Sequence, residues 1–555
     1  MAVEIDNQSS TTAVPQKRPE RIDIGDGLIM RWSTRDDAEN VGRCLAVVFR
    51  WEQEIPNLKE DEEPEPFEIF YAAGKRLLRG NSRVMSEFDY ALVENTLAKD
   101  DEIPIVACIS LQGITGYYGR TQFTFGRPEV IGCLPEYRNR GLIRRLFQEM
   151  IHPASDARGD VIQVIPGIPY FYRQFGYEYG ITPRSARRID DFSKTIPELD
   201  LSKQGKDEKN EQQFLFRTPT LEDVPYLVKM STPEKLLNQA EVGLVYNEAY
   251  WRYTIHDIIE TAESKFDISR ESRIIVDAKT GQDCGIVVTK KPAAFPEPVL
   301  VVHVFVLQDG YHYRDALYPV LRQMIEISNQ PNAWERKEQE RLINSQQQGT
   351  ESKSEDNNNN KKEQLQALIL CMDPDHPVMK LLESKSKLFP TRTKLYVRIL
   401  SYAKFILKVA PILEERLEES HLAGISVTLH FNFFKKVEGS SGKGLEIVIK
   451  DGKIISASDD WVLLSPERKC QLARKRIEKA KQEGTYVEPD SKKKPLEYDV
   501  DFGPLNFTRL VLGDLSVEQM LDLYGDARVQ GGKDAETLLD ILFPKQQAHF
   551  DMFWW

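Results

Sequence analysis

The chain has 555 residues, enough for three or four domains, and its 41% hydrophobic and 29% charged residues are ordinary for a globular protein. The net charge of −12 argues against a nucleic-acid partner, because such binding depends on a basic surface. No apolar run approaches the roughly 18 residues of a membrane span, the six cysteines form no CxxC pair, and the N-terminus lacks a signal peptide, so we expect a cytoplasmic protein without a metal.

Two polar segments are predicted to lack stable structure. Residues 1–24 contain too little apolar surface to offset the entropy of ordering, so we predict a disordered N-terminal tail. A second segment, at about residues 335–364, includes the stretch SQQQGTESKSEDNNNNKKEQ and has no apolar periodicity. We interpret it as a disordered insertion that carries no chemistry.

A short pattern occurs twice in the chain. RWSTRDD at residues 31–37 is echoed by RTPTLED at residues 217–223, and both copies precede apolar helical patterns. Thr34 and Thr220 can accept from the first N–H groups of those helices, and the acids that follow suit the positive end of the helix dipole. The echo is consistent with two similar α/β units, although this pattern is also a common start for a helix after a strand.

The most informative segment is an apolar strand that ends near Cys133 and leads, through a turn at Pro135, into an amphipathic helix. The arginines that lie at or before the first turn of this helix are Arg138, Arg140, Arg144 and Arg145. Such a cluster at the positive end of a helix dipole is unfavourable unless an anion such as a diphosphate binds there. Gly141 would permit its close approach. Alternatively, the arginines form a solvated face and Gly141 is only a turn residue.

The next predicted strand, residues 161–165, is followed by the turn PGIP at 166–169 and the aromatic stretch YFYRQFGY at 170–177. The last third of the chain opens with an apolar, helix-like pattern at 395–413. Alternating residues at 427–433 and 445–449 then predict strands, and short amphipathic helices are predicted near 516–524 and 535–542. The sequence ends in FDMFWW at 550–555.

The segment around Gly141 resembles motif A of the GNAT N-acetyltransferases. The last motif position is usually Gly or Ala but is Ile143 here, and in this respect the chain resembles the Eis (enhanced intracellular survival) family, which commonly has Leu there. The resemblance implies that acetyl-CoA is the co-substrate, with its pantetheine arm and acetyl carbonyl on main-chain groups of Ile131 and Cys133 and its diphosphate on residues 139–144. The implied coenzyme site comprises Ile131, Gly132, Cys133, Arg138, Asn139, Arg140, Gly141, Leu142, Ile143, Arg144, Gly167 and Ile168.

The resemblance also implies the fold class, an α/β protein with tandem GNAT folds followed by an α+β sterol-carrier-protein-like domain. The domains would be a catalytic GNAT domain at 25–195, a second GNAT-like domain at 210–394 and the carrier-like domain at 395–555. The second domain has no R-x-x-G loop after its apolar strand at 299–307, so we expect it to bind no coenzyme. Eis relatives assemble as hexamers, which implies a homo-oligomer.

Two catalytic groups follow from the same resemblance. The aromatic stretch resembles the family's Y-G-R-F-G-Y motif, which makes Tyr172 the acid that protonates the departing thiolate; a phenol, with a reference pKa of about 10, suits this role. The terminal carboxylate of Trp555 would help to accept the proton of the amine. The structural alternatives are that Tyr172 is only a core aromatic and that the terminal aromatic residues only cap the last domain.

The function implied is transfer of acetyl from acetyl-CoA to a primary amine, such as a lysine side chain, a polyamine or an aminoglycoside-like compound. The acidic run at 60–65 lies where a substrate-side segment is expected, although such runs are usually solvated loops. Trp554 replaces the family's acidic penultimate residue, which favours a more apolar substrate. Two alternatives stay open: a non-catalytic lipid- or ligand-binding protein on a decayed GNAT scaffold, and an acyltransferase that uses a longer acyl-CoA.

Overall fold

The computed structural model of the chain describes residues 21–49, 70–71, 74–75, 78, 89–182, 186–190, 195–196, 214–236, 242–261, 270–290, 298–328, 330–331, 335–337, 339–341, 343, 365–389, 394–434, 443–461, 474, 478, 481–482, 496–503, 505–546 and 548–549. Most of the predicted tail and of the predicted insertion, the acidic run at 60–65, and Trp555 lie outside these residues.

The strands, in chain order, are β1 (Ile22–Gly25), β2 (Leu28–Trp32), β3 (Tyr90–Asn95), β4 (Ile105–Tyr118), β5 (Thr121–Cys133), β6 (Ile162–Ile165), β7 (Glu178–Ile181), β8 (Ala186–Ile189), β9 (Phe214–Arg217), β10 (Val242–Leu244), β11 (Arg270–Asp277), β12 (Asp283–Lys290), β13 (Val299–Leu307), β14 (Ala367–Leu370), β15 (Lys387–Phe389), β16 (Leu395–Ile399), β17 (Val427–Asn432), β18 (Gly444–Lys450), β19 (Lys453–Ser458), β20 (Leu496–Asp501), β21 (Arg528–Val529) and β22 (Ala548–His549).

The helices are α1 (Ala38–Val48), α2 (Leu142–Arg145, continued by the π-helical segment Leu146–Ile151 and by His152–Arg158), α3 (Val224–Met230), α4 (Glu248–Arg252, continued by π-helical Tyr253–Asp257 and by Ile258–Thr261), α5 (Tyr313–Ser328), α6 (Pro377–Leu381), α7 (Tyr402–Glu418), α8 (Asn506–Val511), α9 (Val517–Leu523) and α10 (Gly532–Leu542). Short 3-10 helices cover Arg35–Asp37, Pro135–Tyr137, Phe171–Phe175, Leu221–Asp223 and Glu383–Lys385.

The strands form three mixed sheets. The first has the order β1-β2-β3-β4-β5-β6-β16-β7, with β10 joining the end of β4 and β22 joining β10. The second has the order β15-β8-β14-β13-β12-β11-β9, and the third has the order β19-β18-β17-β20-β21. No helix within the described ranges is both long and apolar enough to cross a membrane.

The repeated sequence pattern adopts the same geometry in the first two sheets. Arg31 donates to both carboxylate oxygens of Asp37, at 2.8 and 2.7 Å, and Arg217 donates to Asp223 at the same two distances. Each aspartate also accepts from the N–H of the threonine three residues earlier, at 2.8 and 2.7 Å. The start of each helix is thus fixed by the acid and its arginine, with the threonine as a partner.

Residues 395–399 differ from the helix-like pattern expected of them. They form β16, which lies between β6 and β7 of the first sheet and pairs Tyr396 with Ile165 and Tyr179. All five residues are buried, so the strand shows no alternation that would distinguish it from a buried helix. The helix starts only at Tyr402, where the Ser401 hydroxyl accepts from a main-chain N–H.

A complementary exchange occurs in the second sheet. The strand β8, which precedes the second repeat in sequence, pairs with β14 and β15. The first sheet therefore contains β16, from the range 395–555 expected for the third domain. The second sheet contains β8, from the range 25–195 expected for the first domain. The last third is also bonded to β4, because Tyr118 donates to the carbonyl of Val511 at 3.0 Å and Arg416 donates to the Tyr118 hydroxyl at 3.2 Å.

Candidate active site

The first sheet opens between β5 and β6. These parallel strands pair only at Phe125 with Ile162 and at Gly126 with Gln163. Beyond Gly126, β5 continues to Cys133 along β4, while the end of β6 pairs with β16. One edge of β5 therefore has no strand partner among the described residues, and its main-chain groups face the gap.

A β-bulge lies on β5 at the gap. The pairing of β5 with β4 shifts between Cys108–Gly132 and Ser110–Glu129, so that two residues of β5, Val130 and Ile131, oppose one residue of β4. Val130 has a φ of 47°, in the left-handed region that a β-branched residue rarely adopts. A bulge redirects the strand, and here it accompanies the separation of β5 from β6.

A cleft of about 960 Å³ occupies this gap, and we call it the β5–β6 cleft. It is bounded by the end of β5, the start of α2, and the loop and 3-10 helix that follow β6. The predicted site residues that line it are Ile131, Gly132, Cys133, Arg138, Asn139, Gly141, Leu142, Ile143, Arg144, Gly167, Ile168 and Tyr172. The structure thus brings together residues that the sequence places more than thirty positions apart.

The start of α2 has the geometry of an anion site. Asn139 and Gly141 both have left-handed φ values, of 63° and 74°, which turn the main chain between the 3-10 helix and α2. No side chain in the described part of the chain caps the N-terminus of α2 at Gly141. A Cβ at Gly141 would meet no atom of the described residues within 4 Å, so these residues leave space beside the turn. Uncapped N–H groups at a helix N-terminus are a favourable site for phosphate oxygens.

The four arginines near this turn have different environments. Arg138 donates to the carbonyl of Cys133 at 3.3 Å, and Arg144 donates to Gln174 while its guanidinium lies 5.2 Å from the Phe175 ring centre. Arg145, by contrast, is paired with Glu149 at 2.6 Å.

Arg140 differs from its neighbours. Its guanidinium lies over the Tyr137 ring, 5.0 Å from the ring centre, and the residue is not part of the cleft lining. The cationic cluster expected from sequence is therefore partly neutralised within the chain, by Glu149 at Arg145, and partly directed away from the cleft. Among the described residues, Arg138 and Arg144 are the arginines that line the cleft.

Tyr172 lies on the 3-10 helix Phe171–Phe175 with its side chain buried at the edge of the cleft. Its ring packs edge-on against Phe171 and Tyr396, with centroids 5.1 and 5.5 Å away. None of the described residues forms a hydrogen bond with its hydroxyl. Burial raises the pKa of Tyr172 well above its usual value, and the charge of Glu129 adds to the effect. The phenol is therefore protonated at neutral pH.

Glu129 is a cleft residue that we did not predict from sequence. It lies on β5 and forms an ion pair with Arg127, with Nη2 and Oε1 3.2 Å apart, and both side chains are less than 10% exposed. Burial raises the pKa of Glu129 although Arg127 opposes this. The available signal was a pair of opposite charges two residues apart in a segment, residues 125–133, that otherwise holds only apolar residues and glycines. This spacing places both charges on one face.

Apolar cleft residues were also missed. Val48 and Phe49 at the end of α1 line the cleft, together with Phe70, whose ring stacks on Phe49 at a centroid distance of 3.9 Å. Gly132 permits α1 to approach β5, because a Cβ there would lie 3.2 Å from Leu45. Single apolar residues of an amphipathic helix give no sequence signal that separates a cleft wall from a core.

Cys133 lines the cleft at the end of β5, and burial raises the pKa of its thiol to about 11. It is therefore a poor nucleophile at neutral pH. No cluster of three or more His, Cys, Asp or Glu side chains with the arrangement of a metal site occurs in the described part of the chain.

The second sheet differs at the equivalent place. There β13 and β14 pair over all four residues of β14, from Val299–Ala367 to Val302–Leu370, without the separation seen between β5 and β6. Before Gly310, in the loop that leads to α5, the chain has Asp309, a carboxylate paired with Lys235 at 2.7 Å. An acid at this position disfavours a phosphate.

Several solved structures share this fold. A GCN5-related N-acetyltransferase from Anabaena variabilis ATCC 29413 matches with a TM-score of 0.52 at 12% identity, over 94% of this chain and 99% of that one. A GCN5-related N-acetyltransferase from Kribbella flavida matches with a TM-score of 0.50 at 13% identity, over 95% and 98% of the two chains.

A third similar structure is a conserved protein of unknown function from Enterococcus faecalis V583, described as a probable N-acyltransferase, with a TM-score of 0.51 at 13% identity over 95% and 99% of the chains. The sequence matches no protein-family profile and no curated protein. The expected GNAT-like α/β fold is therefore confirmed over most of the chain.

Proposed function

We propose that the unit built on the first sheet is an N-acetyltransferase that transfers acetyl from acetyl-CoA to a primary amine. The observation that carries this proposal is the combination, within one cleft, of an open gap between β5 and β6, a helix N-terminus at Gly141 that no described side chain caps, and the Tyr172 hydroxyl, which has no hydrogen-bond partner among the described residues. Each of these features corresponds to one requirement of the reaction.

The residues present fit acetyl-CoA. Main-chain N–H groups at residues 139–144 would hold the diphosphate, with Arg138 and Arg144 beside them, and the free edge of β5 at Ile131 and Cys133 would hold the pantetheine arm. The co-substrate supplies an activated thioester. The second unit, with its continuous β13–β14 pairing and Asp309 before Gly310, would bind none.

Tyr172 serves as the general acid. Its raised pKa keeps the proton on the phenol until the departing sulfur takes it. Main-chain groups at the β5 bulge polarise the acyl carbonyl, because donors fixed in a cleft stabilise developing negative charge without reorganisation. The amine nitrogen forms the new bond to the acyl carbon as the carbon–sulfur bond breaks, and its excess proton goes to a carboxylate.

We assign that last role to the terminal carboxylate of Trp555, directly or through water. Support comes from the direction of β22. It runs parallel to β10, and β10 runs antiparallel to β4. Since β5 is also antiparallel to β4, β22 points the same way as β5, which ends at the cleft. The six residues after His549 reach at most about 20 Å when extended, comparable with the seven strand positions from Tyr117 to Ser110. Ser110 is the β4 partner of Glu129.

The finer parts of the proposal rest on the sequence resemblance. We propose membership of the Eis family, cytoplasmic location, assembly as a homo-oligomer, a sterol-carrier-like third domain, and lysine, polyamine or aminoglycoside-like amines as substrates. The apolar wall formed by Val48, Phe49 and Phe70 favours amines that carry apolar groups.

Replacing Gly141 tests the coenzyme site. Gly141→Glu places a negative charge at the anion site, so calorimetry should detect no acetyl-CoA binding. Gly159→Glu is a matched control, because Gly159 lies at the opposite end of α2 with a φ of 85° and, like Gly141, has no atom of a described residue within 4 Å of a Cβ. Both variants carry the same backbone strain, of about 1–2 kcal/mol. Unchanged affinity in Gly141→Glu would remove this assignment.

A further inference from the structure

Strand β16 brings a tyrosine from the last third of the chain into contact with Tyr172. Tyr396 is buried between β6 and β7, and its ring packs edge-on against the Tyr172 ring at a centroid distance of 5.5 Å. Tyr396 also stacks on Tyr179, with centroids 4.2 Å apart and ring planes 23° from parallel.

The hydroxyl of Tyr396 makes a second contact with the cleft wall. It donates to the carbonyl of Ile168 at 3.2 Å and is also hydrogen-bonded to the Tyr179 hydroxyl at 2.9 Å. A hydroxyl has one proton, and Tyr396 is the donor in both contacts, so this proton bonds either the Ile168 carbonyl or the Tyr179 hydroxyl, and it is the Tyr396 hydroxyl that reaches the loop. The two hydroxyls therefore have distinct roles.

The loop that contains Ile168 gains an anchor from this bond, which adds to the one that its carbonyl accepts from the N–H of Phe171 at 3.3 Å. The side chains of Ile168 and Tyr170 are 53% and 69% exposed, so burial of these side chains does not hold the loop in place. The same loop touches Tyr172, because a Cβ at Gly167 would lie 2.4 Å from Cε2 of the Tyr172 ring. A shift of the loop would therefore change the position of Tyr172.

We propose that Tyr396 is a positioning residue for the acid of this site: its ring orients Tyr172 and its hydroxyl fixes the loop at residues 166–169 that forms the adjacent cleft wall. This inference rests on the proposed function, since it gives Tyr172 the catalytic role. A residue that only filled space between β6 and β7 would need the ring but not the hydroxyl.

The test compares Tyr396→Phe with Tyr179→Phe in the full chain. Both variants keep the stacked rings and remove one hydroxyl of the same pair, but only Tyr396→Phe removes the bond to Ile168. We expect Tyr396→Phe to lower kcat by about 3- to 10-fold, the effect of one neutral hydrogen bond, and to weaken coenzyme A binding in calorimetry by a similar factor. Tyr179→Phe should match the wild type in both measurements.

A double-mutant cycle separates this inference from the proposed function. If Tyr396 acts through Tyr172, then Tyr396→Phe should not lower kcat further in a Tyr172→Phe background. Wild-type turnover in Tyr172→Phe alone would refute the proposed acid. Two outcomes would refute the positioning role alone. In the first, Tyr172→Phe is impaired but Tyr396→Phe has normal kcat and normal coenzyme affinity. In the second, Tyr396→Phe and Tyr179→Phe lose kcat and thermal midpoint to the same extent.

Discussion

Arg127 and Glu129 form an ion pair at 3.2 Å on the strand that lines the cleft, and both side chains are almost completely buried. Burying two charges is favourable only when each compensates the other, and removal of one partner leaves an unpaired charge in a low-dielectric environment. The pair therefore makes the stability of the strand beside the candidate active site sensitive to pH.

We predict that Arg127→Met destabilises the protein by about 3–5 kcal/mol at pH 8 and by less at pH 5. Burial already raises the pKa of Glu129, and loss of Arg127 removes the opposing effect. When folding raises the pKa of a carboxyl, the folded protein loses stability as the pH rises through that pKa, because the ionised carboxylate must then be buried. Urea unfolding at both pH values measures the difference. The same loss at pH 5 and pH 8 would show that Glu129 does not titrate as described, whereas Arg127→Met/Glu129→Gln should lose the pH dependence.

Tyr172→Phe should lower kcat by about 10²- to 10⁴-fold with little change in coenzyme affinity, because the variant loses only the proton donor. Tyr170→Phe is the matched control: it removes the hydroxyl of an exposed tyrosine in the same turn. Steady-state kinetics and calorimetry on both variants check the prediction. Near-normal turnover in Tyr172→Phe, with chemistry rate-limiting, would exclude Tyr172 from the mechanism.

Cys133 should resist alkylation although it lines the cleft. Its pKa of about 11 leaves a thiolate fraction at pH 8 on the order of 100-fold smaller than that of an ordinary cysteine. Mass spectrometry after iodoacetamide treatment should show slow modification in the folded protein and rapid modification in urea. Cys133→Ala should keep its activity, because the proposed contacts come from the main chain. Rapid alkylation that acetyl-CoA prevents would indicate an activated thiol instead.

Adding one or two glycines after Trp555 should reduce turnover while all side chains remain. The extension displaces the carboxylate to which we assign proton acceptance, whereas β22, six residues earlier, should still pair with β10. Rates across pH should be compared with those of a variant that lacks Trp554 and Trp555. A native rate in the extended protein would show that the terminus is only a structural anchor. Glu129, the carboxylate among the described residues that line the cleft, would then be the candidate proton acceptor.

The turn geometry of the proposed coenzyme loop was predictable because its signals are local. Gly141, the arginines around it and the amphipathic helix after it lie within one short segment, and the resulting turn has the left-handed φ that favours glycine. Tyr172 follows the next strand, so its place beside the loop follows from the order of the elements. The contact of the Arg140 guanidinium with the Tyr137 ring was not predicted, although the two residues are only three positions apart.

The parts that sequence could not supply depend on distant contacts. Nothing near Tyr396 indicates that it belongs to the first sheet, because its partners are strands far away in the chain and its own strand is buried on both faces. The separation of β5 from β6 likewise depends on which strand occupies the other edge of β6. Hydrophobic periodicity reports burial, but it does not identify the partner.

The insertion of β16 also constrains how the protein folds. Tyr396 and the Ile168 carbonyl that it binds are 228 residues apart in the sequence. During synthesis, the edge of β6 that β16 will cover remains open until most of the chain has left the ribosome. Contacts between residues so far apart in the sequence form slowly, and until they form the unpaired strand edge is prone to aggregation. We therefore expect fragments that end before residue 395 to be poorly soluble, even though they contain every residue of the proposed coenzyme site.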